Sequence, residues 1–427
     1  MASGADVAKN GGVMTEETED ISKLTKFRFL GGFIVWALCG NVAFYMVVSI
    51  MIPQRLKDIG VANPDATLGA INAAGALLSI FYAVFIGAFS DRTRSRLGRR
   101  TPWIIFGSVM YAVMFYLISL PSSGLLIGLA YCVGLIGSNA IQAPMYTIVS
   151  DRVPKNFRAT VSAALGGGNV VGQAIGMLLA SFFITRMQLG FTVAAILAFL
   201  CGVGSLLVLP REPSSLDMPR EKESALRVII KALTPPTKNA SDFWKAFLCR
   251  SFLIVAYQMI TSYQLYIMQD HIGLPKVAAA SAISVMAIIT MVVSFIATAL
   301  AGPLSDIIGR RKPPILIACI FYAIGIAMPW IFPNVMGMYL FAGIAGFGYG
   351  MYLSVDQALN VDVLPNKEDA GKDLGILNIA TCAGQAVGSF ITSTIVTVTG
   401  NYNFVFPVAI LLAALAGVTV MSIKRIK

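Results

Sequence analysis

"SDRTRSRLGRRTP", residues 90–102, returns in a form four residues shorter as "SDIIGRRKP" at residues 305–313. Each stretch joins two long apolar runs, and each leads a knot of basic residues with an aspartate. Two more pairs follow: "SDRVP" at 150–154 corresponds to "VDVLP" at 361–365, and "GQAIG" at 172–176 to "GQAVG" at 384–388, with offsets of 211 and 212 residues. The basic loop changes length while the downstream offset holds, so the chain reads as one architecture written twice.

Around these anchors lie twelve apolar runs, near residues 28–52, 67–90, 102–120, 124–149, 160–185, 190–209, 245–269, 277–304, 313–332, 336–361, 371–397 and 402–423. A helix needs about 20 mostly apolar residues to cross a bilayer. A chain of 427 residues that is 57% hydrophobic, with mean hydropathy +0.76, has more apolar surface than one soluble core can hide. The expected fold is an all-α membrane protein of twelve transmembrane helices in two pseudo-symmetric six-helix bundles. The expected divisions are an N-terminal segment at 1–27, bundles at 28–209 and 244–423, a linker at 210–243 and a tail at 424–427. The linker is rich in proline and charge, and "SALRVIIKALT" at 224–234 places Leu226, Ile229, Ile230 and Leu233 on one face, as a short helix at the membrane surface would.

The net charge of +11 suggests nucleic acid only until the basic residues are placed. Arg55, Lys57, Arg186 and Lys276 fall in connections on one side, and Arg250 lies inside a span. The remaining Lys and Arg lie at the two ends of the chain and in the connections after even-numbered spans. By the positive-inside rule this predicts a multi-pass cell-membrane protein with both termini cytoplasmic, in contact with lipid and not nucleic acid. Glu16, Glu17, Glu19 and Asp20 precede the first run, the wrong chemistry for a signal peptide's basic start, so the first span is expected to act as its own insertion signal. Six scattered cysteines read as small core residues. With His271 as the single histidine, no metal or cofactor is expected.

Twelve spans in two parallel repeats, with "SDIIGRRKP" between the second and third spans of the second half, resemble the major facilitator superfamily over essentially the whole chain. The longer "DRTRSRLGRRTPW" resembles the cation-coupled glycoside and sucrose symporter branch, and "YQLYIMQDHIG" (263–273) and "DQALNVDVLP" (356–365) are similar to bacterial members of that group. The resemblance implies alternating access between the bundles, with the second span facing the eleventh. Asp91 and Asp306 stand at helix C-termini, where the helix dipole disfavours an anion by about 0.3–1 kcal/mol, so each needs a partner. Candidates are the loop arginines or the start of a span in the other half: near Gly371 for Asp91, near Ala159 for Asp306. Arg99 and Arg100 are expected to pair with Asp151. Arg92, Arg310, Arg311 and Asp362 complete a candidate gating set.

The resemblance also implies that the first, fourth, seventh and tenth spans line a cavity, with the second, fifth, eighth and eleventh beside them. Polar residues fall on single faces of these spans: Asn41 and Tyr45; Asn139, Gln142 and Tyr146; Tyr257, Thr261 and Gln264, with Gln258 one step round; Tyr349 and Tyr352; with Gln173 and Asn169 on the fifth and Asn378, Thr381 and Gln385 on the eleventh. Amides donate and accept and tyrosine offers a ring face with a polar tip. This inventory suits a neutral, hydroxyl-rich small molecule such as a sugar or glycoside. The alternative for each residue is a hydrogen bond between neighbouring helices.

Two intramembrane charges remain. Asp356 and Arg250 come at similar depth on spans that adjoin in this fold, and a buried pair is expected, either a proton-coupling carboxylate with its partner or a permanent salt bridge. Asp270 and His271 mark the outer end of the seventh span or an outer gate. The resulting reading is a monomeric, proton-coupled importer. A drug or metabolite exporter of the same fold and a non-transporting ligand sensor are the alternatives. Exporters of the superfamily usually carry Gly-Pro in the fifth span, where this chain has Gly172-Gln173. No Walker loop, catalytic carboxylate pair or nucleophile with a histidine base points to an enzyme.

Overall fold

The computed structural model describes residues 22–216, 234–236, 240–308, 311–364 and 370–423. Twelve long helices dominate: α1 (Lys23–Asp58), α2 (Pro64–Arg92), α3 (Thr101–Leu117), α4 (Gly124–Arg152), α5 (Lys155–Phe183), α6 (Met187–Val208), α7 (Ser241–Thr261), α8 (Lys276–Ile308), α9 (Lys312–Ile331), α10 (Val335–Asp362), α11 (Ala370–Thr399) and α12 (Val405–Met421). Among the described residues, ten of these are long and apolar enough to cross a membrane. The other two, α3 and α12, have 17 residues each, at the lower limit for crossing hydrocarbon. The surface helix expected at 224–234 falls mostly outside the described residues.

Helix starts follow local chemistry. The Ser22 hydroxyl accepts from the Thr25 backbone N–H at 3.2 Å, and the Asn63 side chain accepts from the Ala66 N–H at 3.1 Å just before Pro64. Pro102 and Pro313 occupy the first turns of α3 and α9, each one residue beyond an arginine pair. The face that holds Lys23, Arg92, Arg152, Ser241 and Met421 is called the terminus face below. The other end of the bundle is the opposite face.

The packing repeats with an offset of six helices. In the first half α1 packs on α5 and α6, α3 on α4 and α6, and α2 on α4; in the second half α7 packs on α11 and α12, α9 on α10 and α12, and α8 on α10. The two halves meet where α2 packs on α11 and α5 on α8. The repeated "GQAxG" has a direct reason. A Cβ on Gly176 would stand 2.7 Å from the Val42 carbonyl oxygen, and one on Gly388 would stand 2.7 Å from that of Val255. One turn earlier, Gly172 and Gly384 press on Asn41 and Ile254. Small residues let helix backbones approach in a medium where apolar burial drives little association.

The seventh span differs from the continuous run expected over 245–269. Helix α7 ends at Thr261, a turn follows, and the chain resumes as Gln264–Tyr266 and a π-helical turn at Ile267–His271. A matching π turn, Val47–Met51, interrupts α1 before Pro53, which has no N–H to return to a preceding carbonyl. Both irregular turns lie toward the opposite face.

Candidate functional site: a cavity shared by the two halves

A cavity of about 750 Å³ lies between the halves. It is lined by Asn41, Tyr45, Asn139, Gln142, Tyr146, Gln173, Tyr257, Gln258, Thr261, Gln264, Tyr349, Asn378 and Gln385, drawn from α1, α4, α5, α7 and its continuation, α10 and α11. Tyr352 is the exception. It is buried in the second half's core with Cys249 and Leu253 and lies beside Asp356, because three residues of helix carry it off the face that presents Tyr349.

The lining is not uniformly free. Asn41 donates its amide to the Asn169 carbonyl oxygen at 2.7 Å and to the Ala37 carbonyl at 2.7 Å, tying α1 to α5. Asn139 donates to its own helix at Leu135 (2.8 Å), and Gln258 to Ser262 at 2.5 Å. By contrast, Gln264 lines the cavity with its amide nitrogen buried and without a hydrogen-bond partner among the described residues. The Tyr257 and Tyr349 rings lie parallel, 4.4 Å between centroids and 4° between planes, and Tyr45 comes close to both across the halves. Gln173 of α5 lies against the Tyr257 hydroxyl.

Arg250 and Asp356 form the expected pair at 2.7 Å, with side chains 12% and 4% exposed. The guanidinium is shared: Nε donates to the Thr381 hydroxyl at 2.8 Å and Nη2 to the Asn378 carbonyl oxygen at 3.3 Å. Asn360 donates to the same Asp356 oxygen at 3.0 Å. Asn378 and Thr381 line the cavity, so the ion pair sits one side chain behind its wall.

The cavity is sealed toward the opposite face. Lys57 pairs with Asp270 at 2.5 Å and Lys276 with Asp58 at 2.7 Å. Gln269 donates to Gln54 at 2.8 Å, and the Tyr266 hydroxyl to the Pro53 carbonyl at 2.8 Å. The Tyr263 hydroxyl is within 3.1 Å of the Asp65 and Ser389 carbonyls, and the Tyr402 hydroxyl donates to the Asp65 carboxylate. Every one of these joins the two halves except the Tyr263–Ser389 bond. His271 packs its ring on Phe406 at 5.5 Å, and burial pushes its imidazole below the ordinary histidine value. Toward the terminus face the lining continues through Trp36, Val84, Leu353 and Gly375, and a Cβ added at Gly375 would meet nothing within 4 Å. The cavity opens there.

At the terminus face the aspartate of the basic loop is engaged within its own half. Arg100, 2% exposed, pairs with Asp91 at 2.5 Å and Asp151 at 3.1 Å, and Arg99 pairs with Asp151 at 2.6 Å. The cross-half alternative for Asp91, the start of α11 near Gly371, falls on side chains outside the described residues. Asp362 faces Arg311 at 3.7 Å. Arg92 lies at the last turn of α2. The Asp306 side chain and Arg310 lie outside the described residues.

Several participants lie outside the residues expected from sequence. Glu212 accepts the backbone N–H groups of Arg99, Arg100 and Thr101 and the Thr101 hydroxyl at 3.0–3.2 Å, capping α3 from a distance of 111 residues. Gly98, at φ +91°, leaves room for that carboxylate: a Cβ would stand 2.3 Å from it. Trp36, edge-on to Tyr146 at 5.0 Å, and Asn72 of α2 also line the cavity. Asn72 and Ser79, two turns apart with Gly75 and Ala76 between them, form a small polar face on α2 that could have been found by the same face count applied to the other spans.

A family model described as Major Facilitator Superfamily matches residues 29–301 and 279–426. The raffinose carrier protein of Pediococcus pentosaceus is 24% identical over 91% of this chain and 68% of that one. The hexuronate transporter of Bacillus subtilis is 23% identical over 93% of each. A crystal structure of a mutant nucleoside transporter NupG superposes with a TM-score of 0.74 at 11% identity, covering 92% of this chain and 98% of that one. Two halves repeating one helix packing around a shared cavity agree with the family match, and the chain belongs to the Major Facilitator Superfamily, as a multi-pass membrane transporter and not an enzyme.

Proposed function

We propose that this chain is a secondary active transporter that imports a sugar or glycoside with a proton by alternating access. The observation that carries the reading is the cavity of about 750 Å³, lined by uncharged amide, hydroxyl and aromatic groups from both halves. Such a lining matches a neutral polyol: each amide both donates and accepts, and a flat ring covers the apolar face of a sugar. The name of the raffinose carrier points to the same substrate class, and that of the hexuronate transporter to a related sugar acid. With the terminus face assigned to the cytoplasm by its basic residues, the cavity is open inward and closed outward.

Asp356 is the proposed proton carrier and Arg250 its charge partner. At Asp356 two opposed effects meet: an arginine at 2.7 Å favours the charged carboxylate and burial disfavours it. Any shift of α10 against α7 that lengthens the pair tips the balance toward protonation. Since Arg250 also holds Thr381 and Asn378, substrate contact with those groups would reach the pair directly. The network of Arg99, Arg100, Asp91 and Asp151, with Asp362 and Arg311 in the other half, is the proposed terminus-face gating set.

The test is transport by purified protein in proteoliposomes with an imposed pH gradient. Addition of a transported glycoside should alkalinise the outside of the vesicles as proton and substrate enter together. Uptake unaffected by collapse of the proton gradient would remove proton coupling, and failure of all sugars and glycosides to be bound or carried would remove the substrate class.

A further inference from the structure

We infer that one hydroxyl of the ligand, or a vicinal pair, is held at the sealed end of the cavity between Gln264 of the second half and Ser49 of the first. The inference rests on the cavity being the substrate site, and it gives ligand recognition to a serine outside the residues expected from sequence.

Several polar side chains of the lining are already engaged. Asn41 uses both amide hydrogens, on Ala37 and Asn169, and the Thr261 hydroxyl returns to the Tyr257 carbonyl at 2.9 Å. Gln264 and Ser49 differ. Gln264 is 4% exposed, with its amide nitrogen buried and unpartnered among the described residues. Ser49 is 9% exposed, and its hydroxyl likewise makes no hydrogen bond among the described residues. A serine inside a helix can return its hydroxyl to the carbonyl four residues back, as Ser108 and Ser251 do here. Ser49 stands instead in the π turn Val47–Met51, where the helical register is widened by one residue. Gln142 and Gln385 also lack partners among the described residues, but both are more exposed and open to water.

The two groups lie at the same end of the cavity. Of the residues of α1 that line it, Ser49 is the nearest to the opposite face, and Gln264 holds that place on the seventh span. The segment Gln264–Tyr266 packs directly on the turn Val47–Met51, beside the Tyr266–Pro53 bond that seals the halves. Their chemistry defines what they hold. An amide nitrogen donates only and needs an acceptor, whereas a serine hydroxyl does both. A sugar hydroxyl accepts from the amide while donating to the serine; an ammonium group offers the amide nothing. The terminal torsion of a glutamine is soft, so the amide turns toward such an oxygen at little cost.

The experiment measures, by calorimetry on the purified full chain, binding of sucrose, raffinose and the methyl α- and β-glycosides of glucose and galactose. Every monodeoxy analogue of the best-bound sugar is then compared with it. A buried amide left unpaired costs about 1–3 kcal/mol, so one deoxy position should weaken binding to the parent roughly five- to hundredfold. In Gln264→Met, similar in length but without a donor, the penalty at that position should fall below about twofold. In Ser49→Ala the penalty should fall at the same position or the adjacent one. Ligand-free Gln264→Met should melt at or above the parent's temperature, because it removes an unpaired buried amide; a glutamine that only supports the fold would lower it. A variant that melts like the parent yet binds no sugar counts for the inference. Absence of any such deoxy penalty in the parent, its retention in Gln264→Met or Ser49→Ala, or a lowered melting temperature of Gln264→Met would overturn it while leaving the sugar-transporter reading in place. Absence of binding by every sugar would take that reading down as well.

Discussion

The two halves of this transporter share a backbone frame and divide the chemistry. Where Gly172 meets Asn41 in the first half, Gly384 meets Ile254 in the second, and the Gly176–Val42 approach is repeated by Gly388 on Val255. The same register places Ala37 at the position of Arg250. In the first half α1 and α5 are therefore joined by an amide pair, Asn41 to Asn169. In the second, α7 and α11 are joined through a guanidinium that also reaches α10. Close helix packing is common to both halves because it depends on glycine. Behind the cavity wall the charge sits in the second half, where α10 and α11 supply the counter-ion and acceptors that a buried ion needs.

Replacing the charge would break this asymmetry most severely. Asp356→Asn is expected to abolish proton-driven accumulation while counterflow exchange survives, since exchange needs the cavity but no net proton movement. Proteoliposome uptake with and without internal substrate separates the two, and gradient-driven accumulation in the variant would show that the second half holds a structural salt bridge only. Arg250→Ala leaves Asp356 buried without its cation, which costs about 3–5 kcal/mol in comparable buried pairs. It should lower thermal stability clearly more than Asn41→Ala, whose partner is a neutral amide.

The shared frame predicts equal sensitivity. Gly176→Ala and Gly388→Ala each drive a Cβ to 2.7 Å from a backbone carbonyl, and overpacking of this kind costs about 1–3 kcal/mol. Both should lower the melting temperature by comparable amounts. A large loss at one and none at the other would mean that the halves do not share a packing rule.

Smaller effects are expected at the sealed face. Lys57→Ala removes a partly exposed ion pair, worth about 0–1 kcal/mol, and should raise labelling of a cysteine placed at Asn72 from the opposite face without abolishing transport. His271, the single histidine, adds a pH term. Its imidazole is held below the ordinary value of 6.5 by burial, so the open or unfolded form binds more protons than the closed one. Closure is therefore at full strength above about pH 6.5 and weakens as pH falls through the lowered value. His271→Gln should flatten that dependence in the same labelling assay.

Much of the fold could be read from the chain because bilayer thickness and the positions of basic residues act on sequence directly: twelve runs and two repeats follow from period and length, and most of the lining faces follow from helical period once the family resemblance implies which spans line the cavity. Tyr352 shows the limit. One helix face is broad enough to hold both Tyr349 and Tyr352 by periodicity, and only the neighbouring α7 decides that the second ring is core. Asp91 shows another, since its need for a partner was evident while its pairing with Arg100 depended on how the loop folds back on α2.

What the sequence by itself determined was the membrane class, the duplicated plan, the glycine pairs that set close packing, and a pairing between the only two charges expected within the spans. Only the tertiary structure decided which face is sealed, that Glu212 caps a helix more than a hundred residues away, and that two tyrosines from different helices stack into one surface. The physical reason is range. Hydrophobic length, helical period and steric size are properties of neighbouring residues, whereas closure, long-range capping and ring stacking depend on distances between segments that the chain brings together only after its helices have packed.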